Sequence, residues 1–266
     1  MKNIFKTIFK SASFFIIWAL LVGTPIPNNL PSSIWRFLAE LLPLIFLIGL
    51  SIIYMLYLDK EMYDLKIKDT NVKNYILSFL IGNLWIFSVI GTLKILKILN
   101  ILEYNRTNII IWSISLLLNT IMQELLVRGY LYQMLKKKYN IIVAVIVSTS
   151  LFTFMHGGAF EAGIIAVLNV VFMSLFMNLL LEYYNSIIVP IIVHFIWNLI
   201  SAIIFGLSSL PDDYPHILTS NIIGNPIISG GAFKLEGSII VTIINLFFVL
   251  VYIALISRKI VLSNKP

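Results

Sequence analysis

The sequence predicts an all-α membrane protein, a polytopic bundle of about eight transmembrane helices, and three observations lead there. Hydrophobic residues fill 59% of the 266 positions and charged residues only 12%, with a mean hydropathy of +0.97. A soluble domain carries about a quarter charged residues to cover its surface. The apolar residues fall in blocks of roughly 20, long enough to cross a hydrocarbon core of about 30 Å. Lipid offers the backbone no hydrogen-bond partners, so these blocks must be helices, and the alternation of a membrane barrel is missing.

The first block, about 11–25, follows a basic start at Lys2, Lys6 and Lys10. A short apolar run behind positive charge also describes a signal peptide. No small-residue cleavage site follows, so a retained helix or signal anchor is expected. The next blocks are 36–57 and 75–98, then 107–135, which carries ionisable residues within its run. Blocks 141–156, 162–182, 186–206 and 237–256 complete the set. Trp18, Trp35 and Trp112 are placed for interfacial belts. The connection 207–236, with Pro211, Asp212, Asp213, Pro215, His216 and a Gly-Gly pair at 230–231, is the longest outer feature and reads as an ordinary surface loop. One integral membrane domain, 1–266, is the simplest organisation.

The net charge of +7 is not gathered into a stripe that would suit nucleic acid; basic residues punctuate the block ends, as topology signals do. With the N-terminus inside, thirteen Lys and Arg fall on inner segments and five on outer ones. Both termini are therefore expected in the cytoplasm, in a bacterial cell membrane. Cysteine is absent, which removes disulfides, thiolate chemistry and cysteine metal sites.

An ionisable side chain at the bilayer centre costs roughly 2.5–3.5 kcal/mol on insertion scales, so each one calls for a partner or a task. Block 107–135 contains Gln123, Glu124 and Arg128; block 141–156 ends at His156; block 186–206 contains His194 and Asn198. Glu124 and Arg128 lie four residues apart and stack on one helical face, as do His194 and Asn198. Counted at about 1.5 Å per residue, the depths of these groups allow one common layer. Taken singly, the pairs read as packing glue or a self-neutralised ion pair. Taken together, they are the parts of a buried hydrolytic site. A His or Glu can take a proton from water, and His and Asn can donate to an oxyanion. The same residues also admit a zinc-like divalent metal held by Glu124, His156 and His194 with water in the fourth position. Metal and metal-free chemistry both stay open.

Three motifs carry a family resemblance: Gln123-Glu124-x-x-x-Arg128, Phe152-x-x-x-His156 and His194-x-x-x-Asn198. They resemble the E-E-x-x-x-R, F-x-x-x-H and H-x-x-x-N/B marks of the CPBP family, the CAAX proteases and bacteriocin-processing enzymes, over a core of about 115–200. The stretch from Gly230 to Ser238 also resembles a Gly-Phe-Gly-x-Glu segment of some bacterial relatives. The resemblance implies an intramembrane endopeptidase acting on a peptide or membrane protein, with His156 and the first motif carboxylate activating water and His194 with Asn198 holding the oxyanion. That first carboxylate is Gln123 here, and an amide is no base near neutral pH. On this reading Glu124 and His156 handle water, and Arg128 orients Glu124. Two other readings follow. One is a catalytically silent relative with a binding, immunity or regulatory role. The other is a small transporter, against which stands the lack of repeated halves or paired broken helices.

Overall fold

All eight apolar blocks are helices in the computed structural model, which describes residues 2–208 and 214–263. In chain order they are α1 (Lys2–Val22), α2 (Ser32–Ile53), α3 (Val72–Ile95), α4 (Ile110–Arg128) with α5 (Tyr130–Lys138), α6 (Ile141–Met155), α8 (Ile164–Tyr184), α9 (Ile188–Asn198) and α11 (Ile239–Ser263). Short helices α7 (Gly158–Ala162) and α10 (Pro226–Ser229) lie in connections. Six helical segments are long and apolar enough to cross a membrane, whereas Ile141–Met155 and Ile188–Ile204 are shorter. Large apolar side chains such as Leu20, Phe79, Leu84, Ile146, Phe154 and Phe247 are exposed on the outside of the bundle. Water would penalise that distribution and lipid favours it.

Several boundaries differ from those expected. α1 starts at Lys2 rather than near 11, so Lys6 and Lys10 ride on the helix instead of preceding it. Trp18 is buried and donates to the Pro43 carbonyl at 3.3 Å, so it packs α1 on α2 rather than sitting in an interfacial belt. The 107–135 block is broken at Gly129, which takes φ −79° and ψ −122° between α4 and α5. A Cβ there would lie 2.3 Å from the Leu125 carbonyl oxygen, so only glycine fits the break. α2 and α9 widen into π-helical turns at Tyr54–Asp59 and Leu199–Ile204.

The loops hold the other departures. Leu99–Tyr104 (β1) and Leu218–Ile222 (β2) form an antiparallel ribbon, with Leu99 opposite Ile222 and Tyr104 opposite Leu218. Pro211, Asp212 and Asp213 lie outside the described residues. The rest of the long connection is built onto the bundle. Lys234 Nζ donates to the Gly206 carbonyl at 3.0 Å, and Leu235 N to the Leu207 carbonyl at 3.3 Å.

Two large apolar clusters fill most of the interior, with a small third one at Leu116, Ile203 and Tyr214. One apolar cluster joins α1, α2, α4, α5 and α6 through Phe14, Leu47, Leu126, Tyr130 and Phe152. The other joins α3, α8, α9 and α11 through Trp85, Phe176, Val193 and Phe248. α4 and α9 meet where the clusters adjoin, and the chemistry-bearing residues lie along that seam. The backbone at Gly129 gives a direct check: Gly129→Ala is expected to lose about 1–3 kcal/mol, read as a lower unfolding midpoint in detergent. Gly91→Ala, where a Cβ meets nothing within 4 Å, is expected to leave the midpoint unchanged or raise it.

Candidate functional site

Arg128 and Glu124 are both fully buried, which in a low-dielectric interior demands partners on every side. They have them. Arg128 Nη1 lies 3.4 Å from Glu124 Oε1, one turn back on α4. Its Nε donates to Asn178 Oδ1 at 3.0 Å, and its Nη2 to the carbonyl and hydroxyl of Ser174 at 2.9 and 2.7 Å. Asn178 in turn donates to Ser148 Oγ and Thr149 Oγ1 at 3.0 and 3.2 Å, tying α8 to α6. The guanidinium also covers the Phe152 ring at 4.7 Å. Glu124 Oε1 reaches across to α9, 2.8 Å from His194 Nδ1.

Phe152 is the other organiser. Its buried ring lies 4.3 Å from that of His156 and 5.8 Å from that of His194, centroid to centroid. His156 is the residue at which α6 ends; its φ of −93° and ψ of 55° leave the helix before Gly157. Its Nδ1 lies 2.8 Å from the Phe152 carbonyl, which can only accept, so Nδ1 carries hydrogen and Nε2 holds the lone pair of the neutral ring. The same argument at His194 puts hydrogen on Nδ1, toward the Glu124 carboxylate, and leaves Nε2 as the other polar edge. Asn198 ends α9 where the helix widens; its Nδ2 is 3.4 Å from Thr120 Oγ1, and its second N–H lies outside that contact.

A cavity of about 280 Å³ opens between these helices, and Gln123, His156, His194 and Asn198 all line it. Glu124 and Arg128 do not; they stand behind His194. Gln123 faces the cavity in a defined orientation. Glu40 Oε2 accepts from Asn119 Nδ2 at 2.7 Å, so Asn119 Oδ1 must be the acceptor for Gln123 Nε2, also at 2.7 Å. Gln123 Oε1 is thereby left buried with no partner among the described residues, as is Glu124 Oε2. Such an acceptor is the kind of group that binds water or ligand.

Sequence reasoning missed most of this wall. Glu40 is 5% exposed in α2 and pairs with Arg36 at 3.0 Å. Arg36 Nε reaches the Tyr214 hydroxyl at 3.1 Å, and Arg36, Asn119 and Tyr214 all line the cavity. An acid inside an apolar run, four residues after an arginine, was the signal that could have found it. Glu236 is the sole carboxylate among the described residues that line the cavity; Ser208 donates to it, and Asn169 Nδ2 holds its carbonyl at 2.9 Å. The 207–236 connection therefore walls the cavity through Ser208, Tyr214 and Glu236 and is not an ordinary surface loop.

The metal set does not fit as placed. His156 and His194 line the cavity but Glu124 does not, and among the described residues no three His, Cys, Asp or Glu side chains are grouped to hold an ion.

Fold and site define an integral membrane protein with a polar cavity sunk in its helical bundle. Residues 105–200 match the family model for type II CAAX prenyl endopeptidase Rce1-like proteins. That stretch holds all six residues read from the sequence, and the match agrees with the resemblance that the motifs carry. No curated protein and no solved structure matches the chain.

The buried ion pair yields a stability test. Arg128→Leu leaves the Glu124 carboxylate without its cation and is expected to cost about 3–5 kcal/mol in detergent unfolding. The double variant Arg128→Leu/Glu124→Leu is expected to recover a measurable part, which identifies the loss as an uncompensated charge rather than lost volume.

Proposed function

We propose that this protein is an intramembrane endopeptidase of the CAAX protease type, hydrolysing a peptide bond in the cavity between α4, α6 and α9. One observation carries the reading: four polar side chains line one small cavity, namely Gln123 with an orphan acceptor, the imidazole of His156, and the pair His194 and Asn198.

The steps follow from the hydrogen-bond assignments. Water donates one hydrogen to Gln123 Oε1, which positions it, and the other to His156 Nε2, which takes that proton as the oxygen attacks the carbonyl carbon. The amide at position 123 thus orients water without being the base. The oxyanion accepts from Asn198 Nδ2, with the His194 ring, held at Nδ1 by the Glu124 carboxylate, set beside it. Glu124 and Arg128 are positioning residues in this scheme. His156 returns its proton to the leaving amine, and the C–N bond breaks. Arg36 and Glu236 are the charged groups that the incoming peptide meets along the cavity wall. Prenylated substrates are not required by anything in this wall. The cytoplasmic placement of both termini and a bacterial membrane remain part of the proposal, resting on the Lys and Arg distribution.

The silent-relative reading has one observation in its favour, the amide at Gln123 where the resemblance implies a carboxylate. Peptide-library cleavage by reconstituted protein separates the two. The wild type is expected to cleave, His156→Ala to fall by about 10²–10⁴-fold and His194→Ala by about 10²–10³-fold. Gln123→Glu is expected to cleave faster than the wild type, and a chelator to leave the rate unchanged. Cleavage by Gln123→Glu alone would make the native protein a silent binder.

A further inference from the structure

A second built site lies away from the cavity, on the face that carries the lysines of 60–73 and 136–138. Asp59, at the end of the widened turn of α2, has only 2% of its side chain exposed. It pairs with Lys10 of α1 and with Lys138 Nζ at 2.5 Å, and accepts from the Tyr130 hydroxyl at 2.6 Å. Lys6, one turn before Lys10, is exposed beside them. Lys6, Lys10, Asp59 and Lys138 line a polar cavity of about 510 Å³. It contains three lysines against one aspartate, an excess of two positive charges. Each ammonium has three donors, so Lys10 and Lys138 keep hydrogens beyond those given to Asp59.

The polar cavity does not end there. It shares Thr7 and Tyr139 with an apolar groove of about 790 Å³ that runs between α1 and α6 past Ile8, Phe15, Val147 and Phe154. Ile4, Ile8, Ile146 and Phe154 are exposed along it, so the groove opens on the lipid-facing side of the bundle. A positively charged pocket continuous with a membrane-facing apolar groove matches one chemistry: a phosphate-bearing head joined to an acyl chain. We propose that this is a binding site for an anionic phospholipid, with its head at Lys6, Lys10 and Lys138 and a chain laid between α1 and α6. A free phosphate would use the head pocket and leave the groove open. An acidic peptide would have no use for an entrance facing lipid. Excess lysines at a bundle edge are the usual means of drawing anionic headgroups. The site is independent of the proposed peptidase reading, since none of its residues lines the catalytic cavity.

The test uses full-length protein in nanodiscs of equal phosphatidylglycerol and phosphatidylcholine, with retained lipid counted by native mass spectrometry. The wild type is expected to retain phosphatidylglycerol over phosphatidylcholine by about 25-fold, at roughly fivefold for each of the two positive charges in excess. Lys6→Glu cancels the excess at an exposed position and is expected to abolish that preference. Ser150→Trp, also exposed and in the groove wall, is expected to lower retention of both lipids. Equal retention of the two lipids by the wild type overturns the proposal. So does a preference that survives Lys6→Glu, or retention untouched by Ser150→Trp.

Discussion

A guanidinium with no exposed surface, in the middle of an apolar bundle, is the most demanding group in this protein. Bringing Arg128 out of water costs several kcal/mol even after relaxation, and only partners with good geometry offset that. Glu124 on α4, Ser174 and Asn178 on α8 and the Phe152 ring on α6 surround it. Through Glu124 the same set reaches His194 on α9. One buried cation thus fixes the rotation and height of four helices relative to each other. A slide of one residue along any of them would strand a charge, whereas the surrounding Leu, Ile and Val contacts would tolerate it. The apolar clusters hold the bundle together; the Arg128 network selects its register.

The site inherits that register. Neighbouring residues on a helix point about 100° apart, so Gln123 and Glu124 cannot share a task. Gln123 faces the cavity, while Glu124 turns away from it toward His194 and Arg128. As placed, the carboxylate faces a histidine and not the cavity, whereas sequence reasoning gave Glu124 a part in handling water. Gln123 is oriented by a one-way chain of hydrogen bonds that starts at Glu40, an acceptor only, and passes through Asn119. The chain ends with an oxygen, not an N–H, that has no partner among the described residues. In the proposed reaction that polarity lets an amide hold water for His156.

Much of this was legible in the sequence, for different reasons. The eight apolar blocks could be read because lipid leaves the backbone no alternative to helix. Arg128 with Glu124, and His194 with Asn198, could be read from a spacing of four. What depends on distant pairing could not. The β1–β2 ribbon joins Leu99 to Ile222, and the Glu40–Asn119 bond links α2 to α4, without any local pattern to announce either. Gly129 looked like one more small residue in a helix until the Leu125 carbonyl showed what a side chain would strike. Glu236 was noted for its motif but not for its place, because only the hydrogen bonds from Asn169 and Ser208 bring that turn to the cavity wall.

Hydrolysis needs water at Gln123, in the interior of a membrane protein, and that is the claim on which the account stands. The chain has no cysteine, so a single introduced thiol reports its own surroundings. The most direct measurement is the rate at which a water-soluble, membrane-impermeant methanethiosulfonate modifies Gln123→Cys in liposomes, beside Val127→Cys, one turn along α4 in the buried apolar core. The account predicts rapid modification of Gln123→Cys and none of Val127→Cys. An unreactive Gln123→Cys, or equal rates at both positions, would contradict it.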